Sequence, residues 1–298
     1  MKDYLVKATT KDSNFRAYAI NAKQMVATAQ EKHDTWSASS AALGRTMVAS
    51  TMLATSLEKG ETGVTVKIAG GGPVGQIVVD SDSMGHVKGY VSEPHVHLPL
   101  NEHHKIDVGQ AVGINGLLEV TRVQPKGDPY TSSVPLASGE IGDDFTYYLA
   151  QSEQIPSAVG VSVFVEPDNT IGAAGGYLIQ VMPGADDEAI DNLETRLKQL
   201  PMLSELLLKG QSPEDILQLI FGKDELNFLS EMPVEFKCSC SKEKFRNDLI
   251  GIPVSQLSEI LAEDKKIDVT CNFCRNQYHY DESELTEMVA EAKVNQSK

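Results

Sequence analysis

Short runs in which apolar and polar residues alternate fill much of the first 182 residues. "DYLVKATT" and "NFRAYAIN" have the two-residue period of strands, and the turn-forming "KDSN" joins them. The period then changes. In "SASSAALGRTMVASTMLATSLEKG", Ala, Met and Leu recur at helical spacing, and Gly60 is expected to stop the helix. "GVTVKIAG", "GQIVVDS" and "HVKGYVS" return to alternation, divided by Gly, Pro, Asp and Ser, and "GLLEVTRVQ" adds another strand. "GDDFTYYLAQSEQI" predicts a short helix with acids in its first turn, where they complement the helix dipole. "AVGVSVFVEPDNTIGAAGGYLIQVMPGA" predicts two strands around a "PDNT" turn. With little βαβ alternation, residues 1–182 read as a mixed α+β domain with antiparallel-type sheets and inserted helices.

From 183 to 232 the strand pattern disappears. "DDEAIDNLETRLKQL" places Ile190, Leu193, Leu197 and Leu200 on one helical face. After a break at Pro201, Met202, Leu203, Leu206 and Leu207 continue the stripe. "SPEDILQLIFGKDEL" opens with Ser212 as N-cap and Pro213 at the first helical position. This stretch holds 11 acidic and 4 basic residues, a net of -7. It reads as a helical connector, acidic outside, with a Leu stripe that is either plain core packing or a surface exposed when that packing is lost.

Residues 233–298 hold every cysteine of the chain: Cys238, Cys240, Cys271 and Cys274. Two close pairs about thirty residues apart are able to close one tetrahedral site, and four thiolates suit zinc. His279, five residues past Cys274, is a weaker competing ligand. So small a segment has little core, so metal binding would supply its folding energy. Thiolates are also what oxidants attack, and each cysteine has a neighbour able to resolve a sulfenic acid. Cys271 and Cys274 have the spacing of readily formed disulfides, whereas a Cys238–Cys240 bond closes a smaller, more strained ring. Metal retention and oxidation exclude each other, which makes the window a redox switch. The segment ends in "DESELTEMVAEAKV", a helix capped by Asp281 or Ser283.

Composition narrows the partners. A net charge of -16 argues against nucleic acid, and from 233 onward 9 basic face 12 acidic residues. No apolar run is long enough for a membrane span and no signal-peptide pattern opens the chain, so a cytoplasmic protein in a reducing compartment is expected.

Other motifs are weaker. Gly70, Gly72 and Gly75 satisfy G-x-G-x-x-G, but Pro73 and the strand-like "QIVVDSD" stand where a helix is needed. His95, His97, His103 and His104 fall in a polar, Pro-containing run that reads as a solvated loop. Ser39, Ser40 and Ser152 lack a nucleophile-elbow motif. Trp36, Tyr147 and Tyr148 read as core or interface aromatics.

"CSCSKEKF" and "CNFC" resemble the cysteine motifs of the heat shock protein 33 family, the redox-regulated bacterial chaperonins. "GGGPVGQIVVDSDSMGHVKGYV", "LPLNEHHKIDVGQAVG", "YYLAQSEQIPSAVGV" and "AAGGYLIQVMPGA" are similar to the family's N-terminal motifs in the same order. Lys242 and Lys244 stand where many members have arginine. The resemblance implies a non-enzymatic, ATP-independent holdase of three parts: a chaperone core (1–182), a redox-sensitive linker (183–232) and a zinc-binding switch (233–298). It implies one zinc ion on Cys238, Cys240, Cys271 and Cys274 in the reduced state. Oxidation would pair Cys238 with Cys240 and Cys271 with Cys274, release zinc and unfold the C-terminal zinc domain together with the adjoining linker. The apolar surface bared, with Leu193, Leu197, Leu203, Leu206 and Leu207 as candidate contacts, would hold unfolding clients. Dimerisation on activation and hand-over to ATP-dependent foldases are further implications. The readings that compete with it are a zinc-ribbon binding module and a thiol-disulfide oxidoreductase.

Overall fold

The alternating runs pair into antiparallel sheets, and the computed structural model describes residues 2–57, 62–102, 105–123 and 128–296. Gly60, expected as a helix stop, lies outside the described residues. In chain order the first elements are β1 (Tyr4–Thr10), β2 (Phe15–Asn21), α1 (Lys23–His33), α2 (Ser37–Leu57), β3 (Gly63–Ala69), β4 (Gln76–Asp82) and β5 (His86–Val91). There follow α3 (Val108–Val112), β6 (Leu117–Val123), β7 (Tyr130–Pro135), α4 (Gly142–Gln151), β8 (Ser157–Val165) and β9 (Ile171–Val181). The connector holds α5 (Asp187–Gln199), α6 (Leu203–Leu208), α7 (Pro213–Phe221) and β10 (Leu226–Pro233), and β11 (Glu235–Phe236) comes next. The last elements are α8 (Lys242–Ile250), α9 (Val254–Glu263), β12 (Ile267–Thr270), β13 (Gln277–Tyr280) and α10 (Glu282–Gln296). The chain divides into two units, Met1–Lys237 and Cys238–Lys298. The architecture is α+β.

In the first unit, one sheet runs β10-β1-β2-β9-β8 and the other β11-β5-β4-β3-β6-β7. Helix α2 is buried over nearly its whole circumference by small and apolar side chains, and its buried Thr46, Thr51 and Thr55 donate to carbonyls one turn back. It packs with Leu5, Tyr18, Ile20 and Leu178 of the first sheet and with Val64, Val66, Ile77 and Val79 of the second in one core. Small residues permit this closeness. A Cβ on Gly44 would lie 2.6 Å from Val26 Cγ1 and 2.9 Å from Val163 Cγ2. Ahead of α4, buried Asp144 accepts backbone N–H bonds from Ala137, Ser138, Gly139 and Ile141. The acid seen at that helix start therefore also holds the loop before it, which includes Ile141 at φ 71.

The glycine run at 70–75 is a turn between two strands of a hairpin, with no helix after it. Its backbone lies directly on the segment 111–115. Gly72 N–H donates to Val112 O and Asn115 N–H to Gly70 O, each at 2.9 Å. A Cβ on Gly70 would sit 2.3 Å from Gly113 O. Close backbone approach explains the glycines without a nucleotide.

The connector's helices cover the other face of the five-stranded sheet. Leu193, Ile216, Leu217, Ile220 and Phe221 close a second core over Val6, Ala8, Phe15, Ala17, Ala19 and Ile179. Ser212 caps α7, accepting from Asp215 N–H at 3.1 Å, with Pro213 at the first position. The absence of strand expected over 183–232 is corrected by β10, which pairs antiparallel with β1 from Leu226 to Pro233. It is an edge strand with mostly exposed side chains, held through its backbone, so its sequence carries little alternation. The exposed edge strand β7 lacks a clear periodic signature for the same reason, whereas α3 is too short and α1 buries too few residues for a period to register.

The second unit does have a core. Ile250, Leu257, Tyr280, Leu285, Met288, Val289 and Ala292 are buried together. Asp281, the first of the two caps expected for α10, accepts from Glu284 N–H at 2.9 Å, and the Glu284 carboxylate accepts in return from Asp281 N–H.

Gly44→Val is expected to lower the stability of the first unit by about 1–3 kcal/mol, the usual cost of overpacking. Urea denaturation followed by far-ultraviolet circular dichroism would measure it, and an unchanged midpoint would contradict the tight α2 contact.

Candidate metal centre

Two local structures bring the four thiols together. Cys238 and Cys240 lie on an extended segment whose end is fixed by Ser241, the N-cap of α8, which accepts from Lys244 N–H at 3.1 Å. Cys271 and Cys274 lie in the turn joining β12 to β13, a four-pair antiparallel hairpin. Cys271 N–H donates to Asn276 O and Arg275 N–H to Cys271 O, each at 2.9 Å. Arg275 takes a left-handed conformation, φ 63, which lets the turn fold back over its own cysteines.

All four Sγ atoms lie within 4.8 Å of one another, and none is bonded to another. Cys238 Sγ is 3.7 Å from Cys271 Sγ, and Cys240 Sγ is 3.2 Å from Cys274 Sγ. Four thiolates around zinc at the usual bond length of about 2.3 Å would be spaced about 3.8 Å apart. The donor set, its spacing and the burial of Cys271 and Cys274 fit a closed structural zinc site. The sulfur contacts cross from one loop to the other, as a shared centre requires.

Tyr278 was not singled out from sequence. Its hydroxyl lies 3.2 Å from Cys240 Sγ, and its ring packs on Phe245 at 5.3 Å between centroids. Burial raises the Cys240 thiol, but hydrogen bonds from Tyr278 and the neighbouring thiols outweigh it and bring the pKa down to about 7. Burial pushes the Cys274 thiol up to about 12, and burial also raises Cys238. The bond to Cys240 pushes the Tyr278 hydroxyl up to about 12. The Cys240 thiolate thus forms readily while Cys238 and Cys274 hold their protons, and a divalent cation is what would let the cluster ionise together.

Around the cluster, the Tyr280 hydroxyl donates to Lys242 O at 2.6 Å. Lys242 pairs with Glu284 at 2.6 Å, and Arg246 with Glu291 at 2.7 Å. The two ion pairs tie α8 to α10, and the Tyr280 bond ties β13 to α8. His279 is no part of the cluster; its Nδ1 meets Asp268 Oδ1 at 2.5 Å on the exposed side of the hairpin.

The remaining candidates lie in the first unit. Leu193 and Leu206 are buried, and Leu197, Leu203 and Leu207 are half-buried against the second core, so in this conformation the stripe packs. His95 meets Asp34 and stacks on Trp36, which is 47% exposed. His97 meets Ser37 at 2.7 Å. His103 and His104 lie outside the described residues. Ser39 donates to Glu93 O and Ser40 to Thr35 O, and Ser152 is the C-cap of α4, each a structural role. Tyr148 is buried and bonds Glu153, while Tyr147 is partly exposed. Among the described residues no helix is long and apolar enough to cross a membrane.

Tyr278→Phe removes the donor that stabilises the Cys240 thiolate. That thiol's pKa should rise, protons should compete better for the sulfur, and zinc should be lost at higher pH. Competition with a chromogenic chelator across a pH series is expected to show about tenfold weaker retention. An unshifted release curve would remove Tyr278 from the site.

The comparisons with known proteins agree along the whole chain. The family model described as Hsp33 protein matches residues 3–281. A 33 kDa chaperonin of Levilactobacillus brevis is 56% identical, over 99% of this chain and 100% of its own. That of Lactiplantibacillus plantarum is 55% identical over 98% and 99%. A crystal structure of a 33 kDa chaperonin (heat shock protein 33 homolog) from Thermotoga maritima superposes with a TM-score of 0.90 at 33% identity, covering 99% of this chain and 100% of that one. With family model, relatives and solved structure each spanning nearly the full length, the chain belongs to the Hsp33 family.

Proposed function

We propose that this chain is an ATP-independent molecular chaperone, a holdase, switched on when its four cysteines are oxidised. The chaperone role rests on the family and on relatives named as chaperonins. The observation that supports the switch is the cluster itself: four unbonded sulfurs within 4.8 Å in a unit with a small core. Cys238, Cys240, Cys271 and Cys274 would hold one zinc ion. When bound, zinc would keep the sulfurs as thiolates and supply folding energy, on the order of 10–16 kcal/mol apparent in small zinc modules.

The sulfurs cannot be metal donors and disulfide partners at once. Each disulfide takes two thiols and one peroxide. A thiolate attacks a peroxide oxygen and the O–O bond breaks, giving a sulfenic acid and a hydroxide, which takes up the proton released when the thiol ionised and leaves as water. The second thiol then displaces hydroxide, which leaves as water with the thiol's proton. The expected pairs are Cys238–Cys240 and Cys271–Cys274. With its sulfurs withdrawn, the unit keeps only the core around Leu257, Tyr280 and Leu285. The acidic connector would then loosen and bare both its leucine stripe and the sheet face beneath it. The apolar face bared is the surface that would hold unfolding polypeptides. An activated homodimer, and hand-over of clients to ATP-dependent foldases, are the partners expected for this cycle in the cytoplasm. The reading as a thiol-disulfide oxidoreductase has less support, because Cys271 and Cys274 sit in a β-hairpin turn and not at a helix start.

Light scattering of a chemically unfolded client, without ATP, tests the proposal. Suppression is expected only after peroxide with mild heat, and equal behaviour before and after treatment would refute the switch. Cys271→Ser is expected to lower zinc content and make suppression partly constitutive. In limited proteolysis after oxidation, the first cuts should fall between residues 185 and 235. Early cuts within 62–180 would place the labile segment wrongly.

A further inference from the structure

Beside β8 runs an open groove of about 1310 Å³. It is lined by Trp36, Leu100, Ile106, Met202 and Leu208 and by residues 159–165 of β8. Four of these side chains, Trp36, Leu100, Met202 and Leu208, are exposed although they are large and apolar.

Strand β8 is the edge of the five-stranded sheet and pairs only with β9. The direction of its backbone groups follows from three contacts. Val159 N–H donates outward to Thr146 Oγ1 at 3.1 Å. Val159 O faces Gly142, where an ideal Cβ would lie 2.9 Å from it. Pro156 O, of opposite parity, faces inward and accepts from Val181 N–H at 2.9 Å. With a period of two, Val161 and Val163 therefore also turn N–H and C=O away from β9, toward the groove. Among the described residues neither N–H has a partner. Helix α4 covers the start of this edge through Thr146; beyond it the groove opens on the half-buried Val161, while Val163 lies deeper and is buried.

Proteins ordinarily guard such an edge with charge or proline. The other edge of this sheet, β10, carries Glu231 and Pro233, and β7 of the second sheet ends in Pro135. "SAVGVSVFV" has neither charge nor proline. The groove's charges are unequal as well. Arg45 and Lys105 are opposed by Glu140, Asp143, Glu166 and Glu205, and Arg45 is already paired with Glu140 at 2.6 Å.

We infer that the β8 edge is a docking site for an extended, non-native stretch of polypeptide rich in apolar and basic residues, which adds to the sheet as a further strand. This rests on the holdase reading and names where and what it would hold. Main-chain bonds to Val161 and Val163 supply sequence-tolerant affinity. The apolar walls select alternate side chains, and the acids favour lysine and arginine between them. Because α6 and its N-cap supply Leu208 and Met202, loosening of the connector would widen the groove.

Trp36, the single tryptophan, reports on the site. The full-length protein, reduced and oxidised, is titrated with a short peptide alternating Val and Lys. The same peptide N-methylated at alternate amides, and one with Glu for Lys, are run beside it. Saturable change in Trp36 emission is expected with the first peptide. N-methylation should weaken binding by about tenfold, the loss expected when main-chain bonds are removed, and the Glu peptide should also bind more weakly. Val161→Pro should match the N-methylation loss, since it deletes an outward N–H and leaves the β9 ladder intact. Should that variant misfold, the N-methylated peptide on the unaltered protein decides alone. Equal affinity for methylated and unmethylated peptides overturns the proposal. Self-association of the free protein that excludes the peptide also overturns it, assigning the edge to a second copy. Aggregation suppression by the oxidised protein is measured in parallel. Suppression without any Trp36 response sinks the groove and spares the holdase. A Trp36 response without suppression does the reverse.

Discussion

Burying several thiols side by side is unfavourable for their ionised forms, and the small unit is built around that fact. One sulfur, on Cys240, is eased toward the thiolate by Tyr278, while Cys274 is held strongly protonated. The arrangement is therefore incomplete by itself and suited to a cation. The core formed by Ile250, Leu257, Tyr280 and the apolar face of α10 is modest. Units of this size seldom draw more than about 3–5 kcal/mol from one hydrophobic core. Metal–sulfur bonds of the magnitude known for zinc modules would exceed that, so the state of the sulfurs would decide whether the unit stays folded.

The first unit solves a different problem. Its central sheet has two apolar faces, and each must be covered. Helix α2 covers one face with small side chains that allow the second sheet to close over it. The connector covers the other with Leu193, Ile216, Ile220 and Phe221. These helices are amphipathic and acidic on the outside, so they are able to leave the sheet without becoming insoluble.

Most of the fold could be read from periodicity wherever an element buries one clear face. The hairpins of β1 with β2 and of β8 with β9, helix α2, and the capped start of α7 at Ser212 are of this kind. Elements with mostly exposed side chains, or too few residues for a period, were hidden. Strand β10 shows mostly exposed side chains, and the five-residue α3 is too short for a period to register. The four cysteines were legible because no other thiol competes with them in the chain. Tyr278 was not, since a tyrosine in "RNQYHY" has no spacing that links it to Cys240 on a distant segment. The β8 groove was equally invisible: it depends on which strand ends at the sheet margin, a property of topology rather than of local pattern.

Strand β10 places a latch at the end of the connector. Its pairs with β1 run from Leu226 to Pro233, with one register shift between Lys7 and Ala8. Helices α5 to α7 are attached by side chains and could lift one after another, but β10 is stitched by main-chain bonds and must come away as a whole. A swing of the connector would thus pivot near Leu226 and leave the sheet's far margin hemmed. The platform so uncovered would keep its shape, ready to be re-covered by the same helices without refolding from scratch.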